Sequence, residues 1–372
     1  MSADGASYRD AGVDYDALDA AKRLAMLGAL STSPLMKARG GRALDASRGE
    51  PAFVFELGDR TLALVLEGLG TKSLIARAVL ETQRINRFAD VAYDAVAAIL
   101  NDLVCVGALP LVVNAYFATG ASAWYQQRER AEALIEGWRR ACEDAGCVWG
   151  GGESPTLPGM LEADEIELAG AAVGALPDGV APLLGAELAE GDEIVLVASS
   201  GLHANGASLA RLLAGRLPDG YATALGEGRT FGEALLDPSV IYVPLVAELL
   251  RCGTRVRYLS HITGHGLLKL MRPAGSFTYR ISALPEVPPV LAFVVERAGL
   301  APREAYSTFN MGAGYAVYCA AGESGAVLAA AERVGCRALL AGRVERGPRQ
   351  VVLEPIQVSY DGSQLELSAA PP

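Results

Sequence analysis

Polar segments rich in glycine, set against short apolar runs, constrain this chain most: Glu67-Gly68-Leu69-Gly70-Thr71-Lys72, Gly150-Gly151-Gly152-Glu153-Ser154, Ser199 to Gly206, His261 to Gly266 and Thr308 to Gly314. A short, continuously apolar run reads as a buried strand, and glycine in the adjoining turn lets backbone N–H groups approach an anion. A chain built this way places its ligand chemistry on turns beside sheets. With 42 glycines, many of them clustered in such segments, it is better suited to phosphate ligands than to flexible linkers.

Periodicity fills in the rest. Strands are expected at 61–66, 111–117, 166–175, 192–198, 256–259, 277–281, 314–319, 338–344 and 350–353, with helices at 88–106, 124–145, 206–213, 235–252, 289–299 and 323–335. In 124–145 the apolar Ala131, Leu134, Ile135, Trp138, Ala141 and Cys142 recur at helical spacing, so this helix covers a sheet. A chain of 372 residues is long for one core. The turn-forming run PDGVAP at 177–182 marks a junction, giving expected domains 1–176 and 177–372 in an α/β (α+β) fold.

Composition narrows the function classes. Hydrophobic residues at 51% against 20% charged support extensive burial. A net charge of −11 opposes broad attraction to nucleic acid or to an anionic membrane. No apolar run reaches the length of a membrane span, and the opening residues lack a basic region followed by an apolar core, so a cytoplasmic location is expected. The six cysteines form no CxxC pair, which argues against a disulfide framework or a zinc site.

Several residues suit anion or metal chemistry. After the strand at 61–66, the N–H groups around Gly68 and Gly70 could approach a phosphate while Lys72 adds a point charge, although the full Walker pattern is absent. Asp94 and Asn101 share one helical face, and with Asp102 and Glu67 they could hold Mg2+ between phosphate oxygens. Glu153 could orient a metal or a ligand group. His203 and Asn205, His261 and Thr263, and Asn310 lie in loops suited to substrate contact. An ordinary turn or helix cap accounts for any one of these equally well; their order along the chain is the specific signal.

Read in sequence, SYRDAGVD (7–14), GTK (70–72), NDL (101–103), ATG (118–120), GGE (151–153), SSGLHANG (199–206), HITG (261–264) and TFNMGAG (308–314) resemble the aminoimidazole ribonucleotide synthetase, or phosphoribosylformylglycinamidine cyclo-ligase, family. The match spans nearly the whole chain. SYRDAGVD and TFNMGAG separate it from the related thiamine-phosphate kinases, selenophosphate synthetases and hydrogenase-maturation dehydratases.

The resemblance implies an N-terminal sheet that pairs with its twin in a homodimer barrel, a C-terminal α/β domain, and ATP with Mg2+ near the dimer interface. It implies a purine-biosynthetic reaction in which the formyl oxygen of formylglycinamidine ribonucleotide is phosphorylated, an internal nitrogen attacks and phosphate leaves. Carried over by position, Gly68, Gly70, Thr71, Lys72, Asn101 and Glu153 would bind ATP; Glu67, Asp94 and Asp102 the metal; and His203, Asn205, His261, Thr263 and Asn310 would serve the substrate region. On this reading Lys72→Ala weakens ATP binding and Lys269→Ala does not. The chain departs from the family pattern at Glu67, a glutamate for an aspartate, and at Ala115 and Thr156, which replace acids. His265 interrupts a glycine run, and an upstream glycine loop is reduced to Gly40-Gly41. Two alternatives stand beside this reading: a paralogue activating another amide or carbonyl, and a nucleotide-binding subunit without turnover.

Overall fold

The computed structural model describes residues 15–365 apart from residue 227, so the SYRDAGVD segment lies outside the described residues. Two sheets organise the chain. The first contains β1 (Gly41–Ala43), β2 (Phe53–Leu57), β3 (Arg60–Gly68), β4 (Leu109–Thr119), β5 (Val148–Glu153) and β6 (Ile166–Ala175), in the order β1-β2-β3-β6-β4-β5. Only β4 and β5 pair in parallel. Along β3, Ala63 and Val65 are buried while Leu64 and Leu66 are exposed, so one face of the sheet is covered and the other is open.

Helices α1 (Tyr15–Thr32), α2 (Lys72–Gln83), α3 (Phe88–Leu103) and α4 (Arg128–Ala145) belong to this half. α3 packs on β3 and β6, and α4 packs on α3. Nearly all of α3 is buried, including Phe88, Val91, Ala95, Val96 and Leu100, as expected of a helix enclosed by both a sheet and a second helix. Gly137 makes that closeness possible: a Cβ there would lie 1.9 Å from the carbonyl oxygen of Ala89.

The second sheet contains β7 (Glu193–Ala198), then, beyond a hairpin of β8 (Ala224–Gly226) and β9 (Arg229–Thr230), strands β10 (Val256–His261), β11 (Phe277–Ile281), β12 (Ala313–Cys319), β13 (Ala338–Arg346), β14 (Gln350–Leu353) and β15 (Val358–Asp361). Its order is β10-β12-β7-β13-β11-β14-β15. The helices are α5 (Ala207–Ala214), α6 (Phe231–Leu235), α7 (Val243–Arg251), α8 (Pro289–Ala298), α9 (Pro302–Thr308) and α10 (Ser324–Arg333). Residues Ile194 to Val197 of β7 and all of β12 are buried, which is why they read as unbroken apolar runs.

Three expectations need correction. The helix expected over 235–252 is shorter: α6 ends at Leu235 and α7 starts only at Val243, with Pro238 in the segment between them and Pro244 in the first turn of α7, where proline is tolerated. The intervening residues 236–242 form a loop that reaches the site. The glycine run 150–152 lies within edge strand β5 instead of a turn; a Cβ on Gly152 would lie 2.1 Å from the Ala115 carbonyl oxygen, so close strand pairing explains the glycine. Finally, the structure adds β1, β2 and α2, since strands of three and five residues and a helix that mixes apolar and polar residues carry little periodic signal. Among the described residues, no helix is long and apolar enough to cross a membrane.

Candidate functional site

α3 is the spine on which the site is built. Its buried polar residues Asp94, Asn101 and Asp102 each fasten a segment from the second half of the chain. Asp94 Oδ1 accepts a 2.6 Å hydrogen bond from the Ser239 N–H. Asn101 donates to the Val240 carbonyl and accepts from the Tyr242 N–H, both at 2.8 Å. Asp102 Oδ1 lies 2.7 Å from His261 Nδ1 at the end of β10. The seven-residue spacing of Asp94 and Asn101 therefore puts both on the face that holds the loop at 236–242, while Asp102, one position on, meets a different strand.

Lys72 opens α2 directly after the glycine turn, and its side chain is fully enclosed. Its ammonium forms an ion pair with Asp94 Oδ2 and donates to the His203 carbonyl at 2.9 Å. The Lys72 charge is thus enclosed and met by Asp94, and the Asp94 charge by Lys72. Among the described residues, no group of three His, Cys, Asp or Glu side chains is disposed to hold a metal ion, so Glu67, Asp94 and Asp102 are not gathered as one ligand set.

Glu67 and Asp102 do meet. Glu67 hydrogen-bonds Asp102, and its carboxyl is pushed up to about 7, first by burial and then by the Asp102 charge. Burial opposes ionisation of Asp102 as well, but the His261 ring, followed by Lys269 and Arg272, outweighs it and holds Asp102 down to about 2. One carboxyl of the pair thus carries the charge while the other tends to keep its proton. Lys269, expected to be an inert control, belongs to this group: it is buried, hydrogen-bonds Thr263 Oγ1 and feels the charges of Asp102 and Glu67.

The three loops of the second half are tied to one another. Asn310 Oδ1 accepts from Ser199 Oγ at 2.8 Å and from the Gly312 N–H at 2.9 Å, and its amide donates to the Gly201 carbonyl at 2.9 Å. Asn310 is thereby the buried brace between 199–202 and 310–312. His203 Nε2 accepts from the Ser200 N–H at 3.1 Å, which puts the ring proton on Nδ1, and Nδ1 has no partner among the described residues. Burial, then the nearby His261 and Lys72, lowers the His203 pKa well below the ordinary value, so the ring is a neutral donor. Asn205 is half-buried in the same loop.

The glycine turn is held less tightly. The Gly70 N–H points to Glu167 Oε1 at 3.3 Å, and Thr71 Oγ1 lies 3.1 Å from Ser208 Oγ at the start of α5. Gly68 and Gly70 are exposed, and Gly70 has φ +72, a conformation that favours glycine. Glu153 is exposed at the end of edge strand β5, and among the described residues its carboxylate accepts a 3.2 Å contact from the Ser154 N–H. The ATG and GGE motifs are nevertheless stitched together, since the Thr119 N–H donates to Pro155 and the Leu157 N–H donates to Thr119, at 3.0 and 2.7 Å.

Sequence reasoning missed Ser239 and Val240, which act through backbone groups, and Glu167, Lys269 and the Glu50–Arg272–Tyr258 group. In that group Tyr258 donates to Glu50 at 2.7 Å and Arg272 donates to the Gly49 carbonyl. Backbone donors carry no side-chain signature, and the pairing of Glu50 with Tyr258 joins residues from the two halves of the sequence.

Two sheets whose strand-end loops converge on one buried polar helix define an α/β protein of the AIR synthase type. The chain matches the family described as AIR synthase related protein, N-terminal domain, over residues 49–176, and its C-terminal counterpart over 189–354. It is 37% identical over 346 residues to a phosphoribosylformylglycinamidine cyclo-ligase of Anaeromyxobacter sp. (strain K), covering 92% of this chain and 96% of that one. A protein of the same name from Lachnospira eligens is 31% identical over 350 residues, covering 93% and 99%. The hydrogenase maturation protein HypE, solved in complex with ATP, shares the fold at a TM-score of 0.57 and 18% identity, covering 80% of this chain and 83% of that one. The chain belongs to the phosphoribosylformylglycinamidine cyclo-ligase family.

Proposed function

We propose that this chain is an ATP-dependent cyclo-ligase that converts formylglycinamidine ribonucleotide to aminoimidazole ribonucleotide in purine biosynthesis. The observation that carries the reading is the convergence on α3 of the 239–242 backbone and His261, with the loop 199–206 joined through Lys72, the ion-pair partner of Asp94, and braced to 308–314 by Asn310, in a chain 37% identical over 346 residues to a relative of that name.

Bound ATP would supply phosphorylation of the formyl oxygen, which makes that oxygen a leaving group when an internal nitrogen attacks. The chain's own task is alignment and charge placement. Glu67 and Asp102, two carboxyl groups in hydrogen-bond contact, suit a magnesium ion that completes its shell with water and phosphate oxygens; Asp94, committed to Lys72, does not. His203 holds a proton on Nδ1 where a developing negative charge could be met, and Asp102 orients the His261 ring. The exposed N–H groups around Gly68 and Gly70 fit a polyphosphate chain.

The open face of the first sheet supports a homodimer. Leu64, Leu66, Leu111 and Tyr116 are exposed there, and the register places Leu66, Ala171 and Asn114 side by side across β3, β6 and β4. A two-fold contact would bury this face and its apolar side chains. A cytoplasmic location fits the small charged substrates.

The direct test is phosphate release from purified protein given Mg2+, ATP and formylglycinamidine ribonucleotide, with the imidazole product followed in parallel. Release coupled to product is expected. Nucleotide binding without turnover of this substrate would redirect the reading to a paralogue, a possibility favoured by Ala115, whose buried methyl group leaves that position without an acid while Asn114 faces the opposite side of β4.

A further inference from the structure

The site contains two buried lysines in different states. The Lys72 ammonium is ion-paired with Asp94 and donates to the His203 carbonyl, and nothing of the side chain reaches solvent. Lys269 is 9% exposed, and Thr263 Oγ1 is the one acceptor its Nζ meets among the described residues. An ammonium has three N–H donors, and two of these have no acceptor among the described residues. Asp102 and Glu67 favour its charge from a distance, but neither forms a direct ion pair with it among the described residues.

The position of this ammonium is fixed by the fold. Lys269 lies in a tight helical turn, Gly266–Met271, that follows directly on the loop 261–265. Gly266 has φ +50, and a Cβ there would lie 2.2 Å from the Tyr306 carbonyl oxygen, so the turn is pressed against α9. A bridge between Thr263 and His265 closes the loop. A buried, rigidly held cation with donors to spare is costly until an anion satisfies it, and charge-assisted hydrogen bonds to phosphoryl oxygens are the strong kind.

We propose that Lys269 is the cation that receives a phosphoryl group of the bound ligand, the part the GTK motif suggested for Lys72. The proposal rests on the nucleotide-using reading of the site. Phosphoryl oxygens can come from the triphosphate or from the 5′-phosphate of the substrate, and the two sources are separable by experiment.

The test is calorimetric titration of the full-length protein and its Lys269→Gln and Lys269→Arg variants with the Mg2+ complex of a non-hydrolysable ATP analogue and, separately, with ribose 5-phosphate. The expected result is an increase in Kd of at least about tenfold in Lys269→Gln for one of the two ligands, largely recovered in Lys269→Arg; the ligand affected names the source. Binding of both ligands by Lys269→Gln within about twofold of the unaltered protein overturns the proposal, as does failure of the unaltered protein to bind either. A loss that Lys269→Arg does not recover, accompanied by a fall in Tm, is a packing effect and overturns it too. Absence of turnover on formylglycinamidine ribonucleotide counts against the proposed reaction alone, because these comparisons read binding.

Discussion

Lys72 and Asp94 form an ion pair with no exposed surface on either side chain, and that changes what their substitution reports. Removing one partner of such a pair leaves the other charged and buried, which costs about 3–5 kcal/mol. Lys72→Ala is therefore expected to lower the denaturant midpoint sharply, and the paired replacement Lys72→Met with Asp94→Leu to recover most of it. An unchanged midpoint in Lys72→Ala would show that the pair does not hold the fold together. The GTK and NDL motifs made these residues legible as part of a site. Their pairing was not legible, because helical spacing describes one helix at a time, whereas Lys72 and Asp94 sit on different helices. The same limit hid Lys269, whose neighbours Glu67 and Asp102 come from the other half of the sequence.

The Glu67–Asp102 pair makes a pH prediction with a definite sign. Glu67 is raised from 4.5 to about 7, so its contribution to stability is fully present below pH 4.5 and is lost as pH rises through 7. Asp102 is lowered from 3.8 to about 2, so its contribution is present above 3.8 and is lost as pH falls through 2. Glu67 therefore contributes a decline in unfolding free energy between pH 4.5 and 7, against the rise that the buried, neutral His203 contributes there, so urea titrations of Glu67→Gln and the unaltered protein should differ by a component that falls across this window. A slope unaltered in Glu67→Gln would assign it to another group.

At the level of elements, the strands buried on both faces were the most readable: Ile194 to Val197 of β7 and all of β12 are buried and appear as unbroken apolar runs. Edge strands were the least readable, and β5 is the clearest case, since a run of glycines has no side-chain alternation to reveal. Its pairing with β4 depends on backbone proximity that only the folded sheet displays. Close helix packing is equally silent in sequence. At Gly137 a methyl group would collide with the Ala89 carbonyl, so Gly137→Ala should force α4 away from α3 and cost about 1–3 kcal/mol. The check is Tm by calorimetry, and a value within error of the unaltered protein would mean that the two helices can separate at no cost.

The whole molecule presents one apolar sheet face to solvent, with Leu66 at 73% exposure. If two copies associate through this face, a charge placed at its centre would be buried without a partner and would dissociate them. Leu66→Lys should accordingly sediment as a monomer at concentrations where the unaltered protein is a dimer. A monomeric unaltered protein would remove the contact altogether. The continuous apolar run at 61–66 is legible as a strand and reads as a buried one, whereas Leu64 and Leu66 are exposed; they could be read as an interface only once α3 was seen packed on the sheet's other face.

Asn101 and Asp102 are consecutive residues that hold different partners, one the 240–242 backbone and the other His261. A single peptide unit therefore sets the spacing between the 240–242 backbone on one bank and His261 on the other, in the manner of a yoke. A compound that wedges the 240–242 backbone outward would drag the end of α3 with it and tilt the imidazole on the far bank, so neither bank can be retuned alone.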